Sequence, residues 1–416
     1  MTVFSKLTAT CHEAGHPWSP SCLNTASEIG VHAFVEGLRL YLPFYLIGAI
    51  WRRKTARKAL VEAIRSSMFL SANGANMVLF HCALRRLLGC YYTATAAFLP
   101  NFIGSFLALL VERKSRRGLL AFYVANMGID TLFRMLKFRG FARSIPCGDV
   151  WMFCLAMGSL MYLSKTNPSL REAEDRVFKL FVEPTSYVDV KNVAMRVVRL
   201  VRAYLPLPTI PPQWSTQRPS SIVSTILNSV NTGCSGFVLG YLITAAFSLA
   251  GSLSKILFNP RLLKGYLFSW WNFRMGCFLG SFNCGYRLIF YVLRSVLRLS
   301  VSKASALAGC ISGLSMFFVR SSAVSLYSAT KAIEFAYAVA VHKGKLPSPF
   351  YYADALIYGF FFGIMVHAAI LESHNLTPRY KRLLLKLTAN RIREVNSKLL
   401  DQLGTKASLK PFLESL

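Results

Sequence analysis

The sequence predicts an all-α protein: a polytopic transmembrane helix bundle built from two pseudo-repeats, with basic amphipathic interfacial helices. Three observations predict it. Hydrophobic residues fill 54% of the 416 positions and charged residues only 16%, against roughly 25% charged in a soluble domain. Even so, 48 Lys and Arg against 18 Asp and Glu leave a formal net charge of +30. A nucleic-acid binder that basic rarely carries so much apolar mass. The cations are expected to meet anionic lipid headgroups, and no nucleic-acid partner is expected. The third observation is that the apolar segments recur, in order, in two halves of the chain.

Residues 1–33 form a Cys/His-rich amino-terminal segment containing "CHEAGHPWSPSC" at 11–22. Cys11, His12, His16 and Cys22 are all metal-ligand types, and His12 and His16 have the H-x3-H spacing. Cys11 and Cys22 lack the C-x2–4-C spacing of a structural zinc site. Three states stay open: a metal site, a Cys11–Cys22 disulfide in an oxidising compartment, or a reduced plug on the first helix with Trp18 as its apolar anchor. The sequence assigns no metal and no cofactor. The other eight cysteines (Cys82, Cys90, Cys147, Cys154, Cys234, Cys277, Cys284, Cys310) lie in or beside apolar segments, where a thiol acts as a small hydrophobe. The first thirty residues hold no continuous apolar run of the kind a cleaved leader needs. The closing Glu-Ser-Leu is not the Ser-Lys-Leu address of soluble peroxisomal proteins. Targeting is expected to be read from the spans or from signals of another kind.

A helical span needs about 20 mostly apolar residues. Ten candidates follow: 34–51, 68–88, 94–111, 118–136 and 150–164 in a first repeat (34–164), then 236–253, 275–297, 304–319, 323–341 and 355–371 in a second (233–372). "YLIGA" at 45–49 returns as "YLITA" at 241–245. Phe69, His81 and Arg85 match Phe278, Tyr291 and Arg294. Gly104, Tyr123, Ala125, Asp130 and Gly140 match Gly309, Tyr327, Ala329, Glu334 and Gly344, and Asp149 and Gly158 match Asp354 and Gly363. The offset is near 209 for the Phe69 group, with Tyr291 one position off strict register, and 204 to 205 from Gly104 onward, which reads as a duplication. An odd number of spans per repeat makes the copies inverted.

The linker, 165–232, holds a proline-rich run that cannot be helical throughout. Before it, Val190, Val193, Ala194, Val197, Val201 and Tyr204 share one helical face, with Lys191, Arg199 and Arg202 opposite and Arg196 at the margin. Such a helix suits the headgroup plane, or packs on its own protein. The tail, 373–416, repeats the theme with Lys381, Arg382, Lys386, Arg391, Arg393 and Lys398 among apolar residues. Cationic clusters follow segments one, three and four alike, so the loops lack the contrast by which positive charge orients a chain.

Inside the spans, Gly236 and Gly240, Gly276 and Gly280, Gly309 and Gly313, and Gly359 and Gly363 are each four apart. One helical turn separates the members, giving flat strips where a neighbouring backbone can approach. They serve an internal bundle or, alternatively, a homo-oligomer. Asp130 and Arg134 are spaced i,i+4, and Lys331 and Glu334 i,i+3, so both permit same-helix ion pairs. Charges at membrane depth mark either a structural lock or a transport path. Glu36, Arg39, His81 and His367 read as satisfied helix contacts. There is no phosphate loop, nucleophile elbow, zincin motif or EF-hand, and lone acid–base candidates such as His374 and Glu372 have no partner at a catalytic spacing. The chain is not expected to be an enzyme.

Several stretches resemble the transmembrane protein 135 family: "CHEAGHPWSPSC", "SMFLSANGANMVLFHCALRRLLG", "ERKSRRGLLAFYVANMGIDTLFRM" at 112–135, "AGCISGLSMFF" with "YSATKAIE", and "RLLLKLTANRIREVNSKLLDQLGT" in the tail. The resemblance covers most of the chain, the linker least. It implies a multi-pass protein of mitochondrial and peroxisomal membranes, tied to mitochondrial fission through recruitment or activation of a dynamin-related GTPase, to peroxisome organisation and to lipid metabolism. The family is in turn similar to the mitochondrial protein-import translocase superfamily, whose four-helix units use Gly-x-x-x-Gly strips. The alternative reading is a channel or transporter with a midplane polar site between the repeats.

Overall fold

A computed structural model describes residues 6–51, 55–168, 222–252, 259 and 262–404. Helices dominate. A two-residue antiparallel pair, β1 (Lys6–Leu7) with β2 (Tyr91–Tyr92), is the strand structure among the described residues. The first helices are α1 (Cys11–Ala14), α2 (Cys22–Trp51), α3 (Ala56–Leu88), α4 (Leu99–Leu109, entered through a π-turn at Ala94–Phe98), α5 (Lys114–Phe138) and α6 (Gly148–Thr166). They are followed by α7 (Ile222–Gly251), α8 (Leu262–Leu267), α9 (Trp270–Ser295), α10 (Val301–Ser312, continued as a 3-10 turn to Phe318), α11 (Ser322–His342), α12 (Ala353–Leu371), α13 (Pro378–Leu387) and α14 (Ser397–Leu400).

Each apolar segment read from the sequence falls on a helix. Among the described residues four stretches are long and apolar enough to cross a membrane: Lys114–Phe138, Ile222–Leu249, Val301–Phe318 and Ala353–Leu371. Others are diluted by charge. Helix α3 carries Arg57, Lys58, Glu62, Arg65, Arg85 and Arg86, and α9 carries Arg274, Arg287 and Arg294. The basic linker helix, with Lys191, Arg196, Arg199 and Arg202, and the proline run lie outside the described residues.

Two compact units emerge, and they do not coincide with the sequence halves. One comprises Met1–Ser144 with Pro349–Leu416, the other Ile145–Ser348. Helix α12, which ends the second half, packs on α4 and α5, while α6, which ends the first half, packs on α10 and α11. Each unit therefore takes its fifth long helix from the other half. The ranges 34–164 and 233–372 mark the copies in the sequence rather than compact bodies.

The two units are built alike. Phe69 meets Tyr358 at 5.6 Å between ring centroids and 62° between planes; its match Phe278 meets Phe153 at 5.4 Å and 59°. Tyr358 and Phe153 each stand one turn after the matched pair Asp354 and Asp149, acids in the first turns of α12 and α6, where the helix dipole favours them. Helices α5 and α11 also end alike. Gly140 (φ +81°) and Gly344 (φ +68°) take the left-handed conformation, which a residue without Cβ adopts freely. Gly140 donates to Lys137 O (3.1 Å) and Phe141 to Leu136 O (3.0 Å), just as Gly344 donates to Val341 O (2.9 Å) and Lys345 to Ala340 O (2.9 Å). Both are the paired closing bonds of a Schellman cap.

In the first unit the tail folds onto the core: α13 buries Tyr380, Leu384 and Leu385. It also buries Lys381, at 1% exposure, which the sequence had set on the cationic face. Lys381 lies one turn before Leu384 and Leu385 and so shares their face. Arg379, Arg382 and Lys386 stay exposed.

The aromatic contact generates a prediction. In the first unit Asn73 Nδ2 donates to Tyr358 Oη at 3.3 Å; in the second, the corresponding positions are Phe282 and Phe153, whose rings lie 6.1 Å apart. Phe153→Tyr alone buries a hydroxyl without a partner and is expected to cost about 1–3 kcal/mol. Adding Phe282→Asn supplies the partner, so a double-mutant cycle on thermal unfolding in detergent should show favourable coupling; strict additivity contradicts the equivalence.

Candidate functional site

The amino-terminal segment is placed by short local devices. Glu13 N–H donates to Thr10 Oγ1 (3.2 Å) while Thr10 N–H donates to Glu13 Oε2 (2.8 Å), a reciprocal capping box that closes the single turn of α1. Arg85 on α3 donates to Ala9 O and Thr8 O, both at 2.7 Å, tying the strand ahead of Cys11 to that helix. Gly15 sits so near α3 that a Cβ would lie 2.8 Å from His81 Nε2. His16 follows, 2% exposed, its Nδ1 at 2.8 Å from Ser19 O.

Cys22 opens α2, which runs antiparallel to α3 with Gly30 against Ala75 and Gly37 against Ser67. Continuing that register two turns toward the start of α2 sets Cys22 level with Cys82. Cys11, His16, Cys22 and Cys82 thus offer ligand atoms that all lie within 4.8 Å of one another. Cys11 Sγ is 3.5 Å from Cys22 Sγ, and Cys82 Sγ is 3.4 Å from His16 Nε2. The three cysteines are free of disulfides. Ala26, Ile29 and Val78 wall the cluster, with Trp18 packed against them. Burial, and then the adjacent Cys22 sulfur, push the Cys11 thiol above its ordinary value. His12 points elsewhere, its ring edge-on to His16 at 6.1 Å. Cys82 escaped the sequence reading because it stands in an apolar helix with no ligand spacing around it. Only the α2–α3 register exposes it.

The amino-terminal cluster and the tail share one end of the first unit. Asn396 N–H donates to Ala14 O (3.1 Å), Arg391 pairs with Glu28 (2.8 Å), and its guanidinium lies 5.4 Å from the Trp18 ring centre. Glu372, just beyond α12, accepts from Arg139 and from Asn375 (2.9 Å); burial nonetheless raises its carboxyl above the ordinary value.

The "ERKSRR" stretch also turns inward. Glu112, 2% exposed, accepts from Ser66 Oγ (2.8 Å) and Arg116 Nη1 (3.2 Å). Arg116 reaches Tyr45, and Arg113 pairs with Glu62 (2.8 Å). Arg117 donates to Leu110 O (2.6 Å) and Glu112 O (3.0 Å), satisfying carbonyls left open where α4 ends. Tyr41, Tyr45, Glu62 and Arg116 line a cavity of about 400 Å³ here. Sequence reasoning counted these charges as headgroup cations; several are used to hold the corner between α4 and α5.

The expected ion pairs form within their own helices. Arg134 meets Asp130 at 3.0 Å on α5, and Lys331 meets Glu334 at 2.7 Å on α11. One lies in each unit. Arg39 pairs with Glu36 on α2. His81 shares Nδ1 with Ala96 O (2.9 Å) and Nε2 with Tyr91 Oη (2.8 Å), and half-buried His367 has a buried Nδ1 with no hydrogen-bond partner.

The glycine strips all face neighbouring backbones inside their units. A Cβ on Gly240 would lie 2.6 Å from Met275 O and one on Gly236 2.9 Å from Leu279 O, both on α9. Reciprocally, Gly280 faces Gly233 O (2.9 Å) and Gly276 faces Phe237 O (3.0 Å) on α7. Gly309 and Gly313 press on Met157 O and Cys154 of α6, at 3.0 and 2.7 Å to the nearest backbone atoms, and Gly359 and Gly363 on Phe102 O and Phe98 O, at 2.9 and 3.1 Å. Gly240→Leu must push α7 off α9, an overpacking of about 1–3 kcal/mol or more. Gly118→Leu, where nothing lies within 4 Å, is expected to leave thermal stability in detergent unchanged; equal effects at the two positions would contradict the contact.

A helical chain with four stretches able to cross a membrane, closely packed through glycine strips, is a multi-pass membrane protein. Residues 8–137 match the family model of the N-terminal cysteine-rich region of Transmembrane protein 135. This match supports the transmembrane protein 135 family, and it takes in all four clustered Cys and His residues. It stops near the end of α5, within the first continuous piece of the first unit. No solved structure matches the chain.

Proposed function

We propose that this protein is a non-enzymatic organelle-membrane protein that regulates mitochondrial fission and peroxisome organisation by recruiting or activating a dynamin-related GTPase. The reading rests on the family resemblance and on one feature of the tail. Helix α13 turns its apolar side into the first unit while Arg379, Arg382 and Lys386 stay exposed, with Arg393 and Lys398 exposed beyond them. A fixed cationic face of that kind suits anionic headgroups or an acidic face of a soluble partner. Mitochondrial and peroxisomal membranes are the locations that this reading requires.

Reversing Arg379, Arg382 and Lys386 to Glu should abolish GTPase recruitment to the organelle without loss of membrane insertion, read by fluorescence co-localisation and carbonate extraction. Recruitment that persists removes the electrostatic part of the proposal. The transport alternative draws on the charged pair that each unit carries on equivalent helices, α5 and α11. Flux through the purified protein in liposomes that falls on Asp130→Asn would favour it, and flux indifferent to Asp130→Asn would count against it.

A further inference from the structure

We infer that Cys11, His16, Cys22 and Cys82 hold one zinc ion in a closed, four-ligand structural site that fastens the amino-terminal segment to α2 and α3. The cage has the right size. A tetrahedral zinc with Zn–S near 2.3 Å and Zn–N near 2.0–2.1 Å has ligand-to-ligand edges of about 3.8 Å between sulfurs and about 3.6 Å between sulfur and nitrogen. The Cys11–Cys22 edge is 3.5 Å and the Cys82–His16 edge 3.4 Å. The ion enters by spreading these edges a few tenths of an ångström. A disulfide needs its sulfurs at about 2.05 Å, more than an ångström closer, and leaves Cys82 and His16 aimed at nothing.

The chemistry of the ligands agrees. Three thiols and an imidazole form the borderline-soft set that selects zinc, and with four protein ligands no position remains for substrate. His16 is already oriented as a ligand. Its Nδ1 is 2.8 Å from Ser19 O, so a proton on Nδ1 goes to the carbonyl and the Nε2 lone pair faces the sulfurs. Zinc binding releases the three thiol protons to solvent and leaves a thiolate-rich centre of net charge −1. Arg85 stands one turn beyond Cys82 on α3, anchored to the Thr8 and Ala9 carbonyls that lead into Cys11. It puts a permanent cation at that side of the site. A plain apolar plug requires neither a buried imidazole nor three thiols converging on it.

The test uses the full chain purified in detergent without chelators. Elemental analysis should find about one zinc per chain. Exchange with cobalt(II) should give tetrahedral d–d absorption and a thiolate-to-cobalt charge-transfer band, a readout on the unmodified protein. Cys82→Ser should reduce zinc to background while Cys90→Ser, buried but outside the cluster, keeps it. Zinc absent with Cys11 and Cys22 joined in the unreduced intact mass, zinc absent with all thiols free, or zinc content indifferent to Cys82→Ser would each overturn the inference.

Discussion

Everything in this molecule depends on helix backbones coming within touching distance. Lipid is as apolar as leucine, so hydrophobicity does little to bring one span against another. What remains is dispersion, which fades within fractions of an ångström of a gap. The four glycine pairs meet that requirement with carbonyl oxygens seated where side chains would stand, as between α7 and α9, where both helices offer glycine to each other. Aromatic contacts such as Phe69–Tyr358 and Phe153–Phe278 then fix the rotation of each exchanged helix.

Cations serve the same end by a different route. Arg117 answers the open carbonyls where α4 stops, Arg85 answers those of the segment before α1, and Arg139 answers buried Glu372. The large positive charge of the chain is therefore not all available to headgroups. Arginine suits this work because its several donors diverge in a fixed fork and it stays charged when half-buried. The lysines and arginines left outside, notably Arg379, Arg382 and Lys386, form a smaller surface than the composition suggests.

The sequence made the local features legible and hid the ones that depend on register. Helical segments, the matched positions Gly140 and Gly344, and the spacing of Asp130 with Arg134 are properties of neighbouring residues, and neighbours set them. Cys82 became a partner of Cys22 only through the antiparallel pairing of α2 and α3. Lys381 was counted with the surface because its charge outweighed its place on the Leu384 face. The exchange of α6 and α12 left no trace in periodicity at all, because a helix has the same apolar stripe whichever unit receives it.

That exchange imposes an order of assembly. The second unit, Ile145–Ser348, is one continuous stretch and can close as soon as α11 leaves the ribosome. The first cannot: α2 to α5 are made early, yet α12, on which α4 and α5 pack, and the tail that covers their Cys/His end arrive after some two hundred further residues. For that interval α4 and α5 wait with an open seat. A membrane insertase or chaperone has more reason to attend to the front of this chain than to its middle.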